Sequence, residues 1–146
     1  MQYLSNFAER LKELMFDNGE MTAKALAAEL GLPAPTITRY RKAHNLPSVK
    51  NLVLLADYFC CSTDFLLGKE ADGKNLIFKT CPPFSERIVF LAKQLCKNYY
   101  EFYNKAEIPE STFFEWKNGE SEPTLDSVIR IAEHFDCRID YILGRE

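Results

Sequence analysis

The stretch "STDFLLGKE" at Ser62–Glu70 recurs as "RIDYILGRE" at Arg138–Glu146. Both endings run Asp, aromatic, aliphatic, Leu, Gly, basic, Glu, which pairs each residue with one 76 positions further on. Carried backward, the pairing holds: Phe59 meets Phe135, Cys61 meets Cys137, Ala56 meets Ala132, Leu55 meets Ile131 and Leu52 meets Val128. Tyr40 then meets Trp116 and Ile37 meets Phe113, while "LP" at Leu32–Pro33 meets "IP" at Ile108–Pro109. Before that the offset grows to 77, and "FAERL" at Phe7–Leu11 matches "FSERI" at Phe84–Ile88. Self-similarity of this kind predicts a repeated folding unit. The expected organisation is an N-terminal domain over 1–70, a linker over 71–83 and a C-terminal domain over 84–146. Units of that size fold alone, though with a small core.

Within each copy the apolar period is helical. Phe7, Leu11 and Leu14 form one stripe, as do Phe84, Ile88 and Leu91. "DNG" at Asp17–Gly19 ends the first helix. Thr22 is placed to cap a second helix, "AKALAAEL", and Gly31 follows where a left-handed residue is wanted. A third helix is expected from about Pro33 to Ala43, and Ser48 and Thr124 cap a fourth in each copy. "DFLLG" and "DYILG" make a short fifth, stopped by Gly68 or Gly144. The fold class predicted is all-α, two tandem five-helix domains.

Composition narrows the class further. Apolar residues make up 47% and charged residues 27%, the balance of a globular rather than a disordered chain. No apolar run approaches the roughly 20 residues that span a bilayer. "MQYLSNFAERLKE" turns charged too early for a secretory signal, so a cytoplasmic location is expected and no membrane partner. The five cysteines include adjacent Cys60 and Cys61 but no Cys-x-x-Cys pair. They read as small buried hydrophobes, with no metal and no cofactor expected. His44 and His134 have no nucleophile or carboxylate at a recognisable spacing, so an enzyme is not expected.

"ALAAELGLPAPTITRYRKAHNLPSVKNLVLLADYFCCSTDFLLG" resembles the lambda-repressor-like helix-turn-helix family of Cro and phage-repressor (XRE-type) regulators. The likeness rests on the Leu-Ala pair before a Gly turn, Ile37 inside the third helix with Tyr40 after it, and a Pro leading into the fourth helix. The Leu55–Ala56 pair then precedes the closing Asp-Phe-Leu-Leu-Gly. The second copy resembles the family most over "WKNGESEPTLDSVIRIAEHFDCRIDYILG". The resemblance implies double-stranded DNA as partner, with the third helix in the major groove. It implies base-reading positions at Ala34, Pro35, Thr38 and Arg39, and phosphate-facing positions at Thr22, Ala23, Thr36 and Lys42. Arg39 is the principal candidate, because a guanidinium grips guanine O6 and N7 together. Arg41, Lys42 and His44 follow on the same basic surface and are read as approaching phosphates. The family often places Gln or another polar reader where this chain has Ala34 and Pro35, which thins the base-specific readout.

Charge separates the copies. Residues 1–70 balance to zero, whereas residues 84–146 carry a net of −4. Ala34–Lys50 holds Arg39, Arg41, Lys42 and Lys50 without an acid; Glu110–Asp126 holds five acids against Lys117. An acidic helix is repelled by phosphates, so the second copy is not expected to read DNA. Ala27 and Gly31 are also replaced there by Tyr103 and Glu107, which predicts an altered helix-turn-helix angle. The run "NYYEFYN" at Asn98–Asn104 has two readings: core Phe102 with tyrosines at its margin, or a partner interface made by Tyr99, Tyr100 and Tyr103.

The function expected is a dimeric transcriptional regulator, repressor-like, with DNA bound by the first copy and dimerisation or a protein partner by the second. Two alternatives remain at this point. One is a covalent pseudo-dimer, since a thirteen-residue linker reaches roughly 43 Å. The other is a protein-binding module, such as an antirepressor, antitoxin or phage-type inhibitor, that keeps the fold without binding DNA. "NLIFKT" in the linker is apolar enough at Leu76, Ile77 and Phe78 to predict docking against a domain.

Overall fold

A computed structural model describes residues 2–74 and 76–146. Contacts divide the chain into two units, Met1–Ile77 and Phe78–Glu146. The described residues contain ten α-helices and no strand; one isolated antiparallel bridge joins Cys61 to Lys74.

The first unit holds α1 (Tyr3–Asp17), α2 (Ala23–Leu30), α3 (Ala34–Arg41), α4 (Val49–Tyr58) and α5 (Thr63–Leu66). The stripe on α1 faces inward, with Phe7, Leu11 and Leu14 buried beside Ala8 and Met15. Thr22 Oγ1 accepts from the Ala25 N–H at 3.1 Å, occupying one donor that α2 would otherwise leave unpaired. Gly31 closes α2 at φ 70°, and the Leu32 N–H donates back to the Ala27 carbonyl at 2.9 Å. Pro33 then fixes an extended entry into α3. Ser48 caps α4 through the Asn51 N–H at 3.2 Å. The third helix packs on α1 and α2, burying Ile37 and Tyr40. The Tyr40 ring meets Phe7 edge-on at 5.5 Å and its hydroxyl accepts from Asn51 Nδ2 at 3.0 Å.

The second unit holds α6 (Phe84–Leu95), α7 (Tyr99–Lys105), α8 (Glu110–Lys117), α9 (Leu125–His134) and α10 (Ile139–Leu143). Thr124 caps α9 through the Ser127 N–H at 3.2 Å, as its counterpart Ser48 caps α4. Phe84 meets Trp116 edge-on at 5.6 Å, repeating the geometry of the Phe7–Tyr40 pair at aligned positions. Glu107 holds the left-handed conformation of Gly31, at φ 57°, and the Ile108 N–H donates to the Tyr103 carbonyl at 2.9 Å. The turn is therefore retained across the change from Gly to Glu, with strain rather than a new backbone path absorbing it.

The repeated ending now has a physical cause. In each unit a buried Asp begins the last helix, a left-handed Gly stops it, and the next basic residue returns to that Asp. Lys69 Nζ lies 3.6 Å from Asp64, and Arg145 lies 2.6 Å from Asp140. The Lys69 and Arg145 N–H groups also donate to the Asp64 and Asp140 carbonyls, each at 2.8 Å. Asp140 and Arg145 are both fully buried, the Arg145 guanidinium lying 4.2 Å over the Phe78 ring.

The first part of the stretch read as a linker is tied back to the first unit at two points. Ser62 N–H donates to the Gly73 carbonyl at 2.9 Å and Leu76 N–H to the Cys60 carbonyl at 3.0 Å. A Cβ at Gly73 would lie 2.5 Å from Ser62 Oγ and 2.7 Å from Phe65 Cβ, so only glycine permits that approach. Docking by the side chains of "NLIFKT" holds for Phe78, whose ring lies under the Arg145 guanidinium, and is corrected for Leu76 and Ile77. Leu76 is 45% exposed and Ile77 fully exposed, because backbone hydrogen bonds, not apolar contacts, hold the segment; Asn75 lies outside the described residues. Only Phe78 is half-buried.

Candidate nucleic-acid interface

Helix α3 sorts its side chains by angle. Ile37 and Tyr40 point into the core, so Pro35, Thr38, Arg39 and Lys42, at i, i+3, i+4 and i+7, share the opposite side. Pro35, Arg39 and Lys42 are exposed, and Ala34, Thr36 and Thr38 are half-buried. Neither Arg39 nor Lys42 has an ion-pair partner among the described residues. A surface depression of about 440 Å³ lies on this side, lined by Ala34, Pro35, Thr38, Arg39, Lys42 and His44. All four residues assigned to base reading thus meet at one place, joined by Lys42.

His44 reaches the depression through the turn after α3. Ala43 adopts a left-handed φ of 58°, and the His44 N–H donates to the Arg39 carbonyl at 3.0 Å. That closure folds the chain back beside the helix, as Schellman-type caps do. The Thr38 hydroxyl donates to the Ala34 carbonyl at 3.2 Å, which commits its proton inside the helix. Thr22, exposed, and Ala23, half-buried, sit at the start of α2.

Two candidate residues fall elsewhere. Arg41 shares a side of α3 with Ile37, four positions earlier, and does not line the depression; it is half-buried, with Nε enclosed and no hydrogen-bond partner among the described residues. It stands aside from Arg39 and Lys42, since a helix turns about 100° between Tyr40, Arg41 and Lys42. Tyr103 is corrected as an exposed interface residue. It is only 8% exposed, with its ring 5.6 Å from Phe113 and 5.7 Å from Tyr100. Burial first, then the Glu110 carboxylate and Tyr100, push its phenol above the ordinary range. Tyr99 is half-buried against Phe113 at 5.2 Å, which leaves Tyr100, 69% exposed, as the outward ring.

Around α8 and the start of α9 the aligned positions are acidic. Aligned positions exchange Arg39 for Glu115, His44 for Glu120 and Lys50 for Asp126. The backbone beneath them is the same: Gly119 repeats the left-handed Ala43 at φ 75°, and the Glu120 N–H donates to the Glu115 carbonyl at 2.8 Å.

Helices α2 and α3, joined by the tight turn at Gly31 and packed together, have the arrangement of a helix-turn-helix. A family model described as helix-turn-helix matches residues 15–66, from the end of α1 through α5. That segment is similar to helix-turn-helix domains over its whole matched length. No curated protein and no solved structure matches the chain. Among the described residues no helix is long and apolar enough to cross a membrane.

Proposed function

We propose that this chain is a sequence-specific transcriptional regulator whose first unit places α3 in the major groove of double-stranded DNA. The carrying observation is the side of α3 that bears exposed, unpaired Arg39 and Lys42 around one depression, within a window free of acids. Arg39 grips a guanine edge, while Lys42 and the start of α2 at Thr22 and Ala23 lie along the phosphates, with Thr36 beside them. The second unit is a tandem, degenerate copy of the same domain that contacts protein, either a second chain or another partner. Its charge reversals at Glu115, Glu120 and Asp126 support that division, and Tyr100 is its exposed aromatic anchor. As a homodimer the protein presents two α3 helices roughly 34 Å apart, which calls for a palindromic site.

A mobility-shift titration of the full chain tests this reading. Arg39→Ala should weaken the specific complex about 10-fold or more, the value of one bidentate contact, whereas Glu115→Ala should leave it unchanged. Equal losses would refute the division of labour. A chain that binds no duplex even at low salt, yet captures a protein, would instead favour a protein-binding module that retains the fold.

A further inference from the structure

The depression on α3 has an unusual chemistry for a reading surface. Ala34 and Pro35 supply no side-chain donor or acceptor, and Thr38 has already donated its hydroxyl proton to the Ala34 carbonyl at 3.2 Å. What remains of Thr38 is a methyl group and an acceptor oxygen. Polar groups stand around this apolar patch: the guanidinium of Arg39, the ammonium of Lys42 and the imidazole of His44. In the major groove only one base edge offers an apolar group, the C5-methyl of thymine. Unmethylated cytosine carries only a hydrogen at C5 and so offers no methyl for the patch to bury.

We propose that this depression is a thymine-methyl site, so that the DNA recognised carries thymine, or 5-methylcytosine, against Ala34, Pro35 and Thr38, next to the base gripped by Arg39. This inference rests on the DNA-binding reading above. It makes the missing polar readers a positive feature, since discrimination comes from burying a methyl group. One buried methyl corresponds to about a fourfold change in affinity.

The test uses the full-length protein and a duplex enriched by binding from a randomised DNA pool. Each thymidine of that duplex is then replaced in turn by deoxyuridine, which removes the methyl and leaves pairing intact. Affinity should fall about fourfold at one position per half-site and stay level elsewhere. Thr38→Ser keeps the hydroxyl but deletes a lining methyl, so it should shrink that deoxyuridine penalty while leaving the salt dependence of binding unaltered. A circular dichroism melt of the variant confirms that it folds. Tight binding that no deoxyuridine substitution weakens, or an enriched duplex without thymine beside the Arg39 contact, would overturn the methyl site alone. Failure to enrich any duplex would overturn the DNA-binding reading with it.

Discussion

The turn between α7 and α8 holds a glutamate in a backbone conformation that favours glycine, and Glu107→Gly should relieve it. Glu107 sits at φ 57°, beside 70° for Gly31 at the aligned turn between α2 and α3. A side chain there costs about 1 kcal/mol relative to glycine. Against this, Glu107 Oε2 lies 3.3 Å from His134 Nε2, but with the carboxylate side chain 72% exposed that contact is worth a few tenths of a kcal/mol at most. The bond from Arg130 to the Glu107 carbonyl survives any side-chain change. The net expectation is a gain of about 0.5–1 kcal/mol, or a rise of roughly 3–6 °C in the melting of a unit this size. Glu107→Ala separates the two contributions, because it removes the carboxylate yet keeps the strained Cβ, and it should be slightly less stable than the starting protein. In the opposite sense, Gly31→Glu should cost about 1 kcal/mol from backbone strain alone, since a Cβ at Gly31 meets no atom within 4 Å. Urea titration of the full chain, followed by far-ultraviolet circular dichroism, measures all three. A Glu107→Gly protein no more stable than Glu107→Ala would refute the strain account.

Two further outcomes follow from the buried groups of the second unit. Arg145→Met takes from the fully buried Asp140 its 2.6 Å partner, leaving Arg138 at 3.6 Å, and should cost about 1.5–3 kcal/mol, whereas Lys69→Met, at a longer and partly exposed pair, should cost clearly less; denaturant titration compares them. The Tyr103 phenol is held above its ordinary range in the folded state, so its contribution is present below the unfolded value near 10 and is lost as pH rises past it. Tyr103→Phe should accordingly make stability less sensitive to alkali above about pH 10, read from unfolding midpoints across pH 8–11.

The scaffold was legible wherever its cause is local. Thr22, Ser48 and Thr124 cap their helices because a hydroxyl three residues before a free N–H is a short-range geometry. Gly31 stops α2 for an equally local reason. The inner side of α3 followed from the spacing of Ile37 and Tyr40. What sequence pattern missed depends on angle and volume. Arg41 was grouped with its basic neighbours by order along the chain, although its own spacing from Ile37 already turns it aside. Tyr103 replaces Ala27, yet it is buried because Phe113, Phe114 and Tyr100 surround it, a fact of packing that no period reports. His44 was grouped with Lys42 on one surface, but the left-handed Ala43 that brings it there was not legible, since alanine gives no sign of that conformation. The Asp-to-basic pairing of the endings had a readable signal in the shared five-residue spacing across a stopping glycine.

Tyr40 has a mechanical consequence for recognition. Its ring is set against α1 through Phe7 and its hydroxyl against α4 through Asn51, so α3 is pinned in rotation about its own axis at two separate points. Side-chain tips ride roughly 6 Å from a helix axis, so a 10° roll would carry Arg39 about 1 Å sideways. A displacement of that size exceeds the roughly 0.5 Å within which a binding constellation must be held. The phenol therefore acts as an indexing pin: it lies away from the exposed side of α3, and it sets the bearing of Arg39, the reader proposed above.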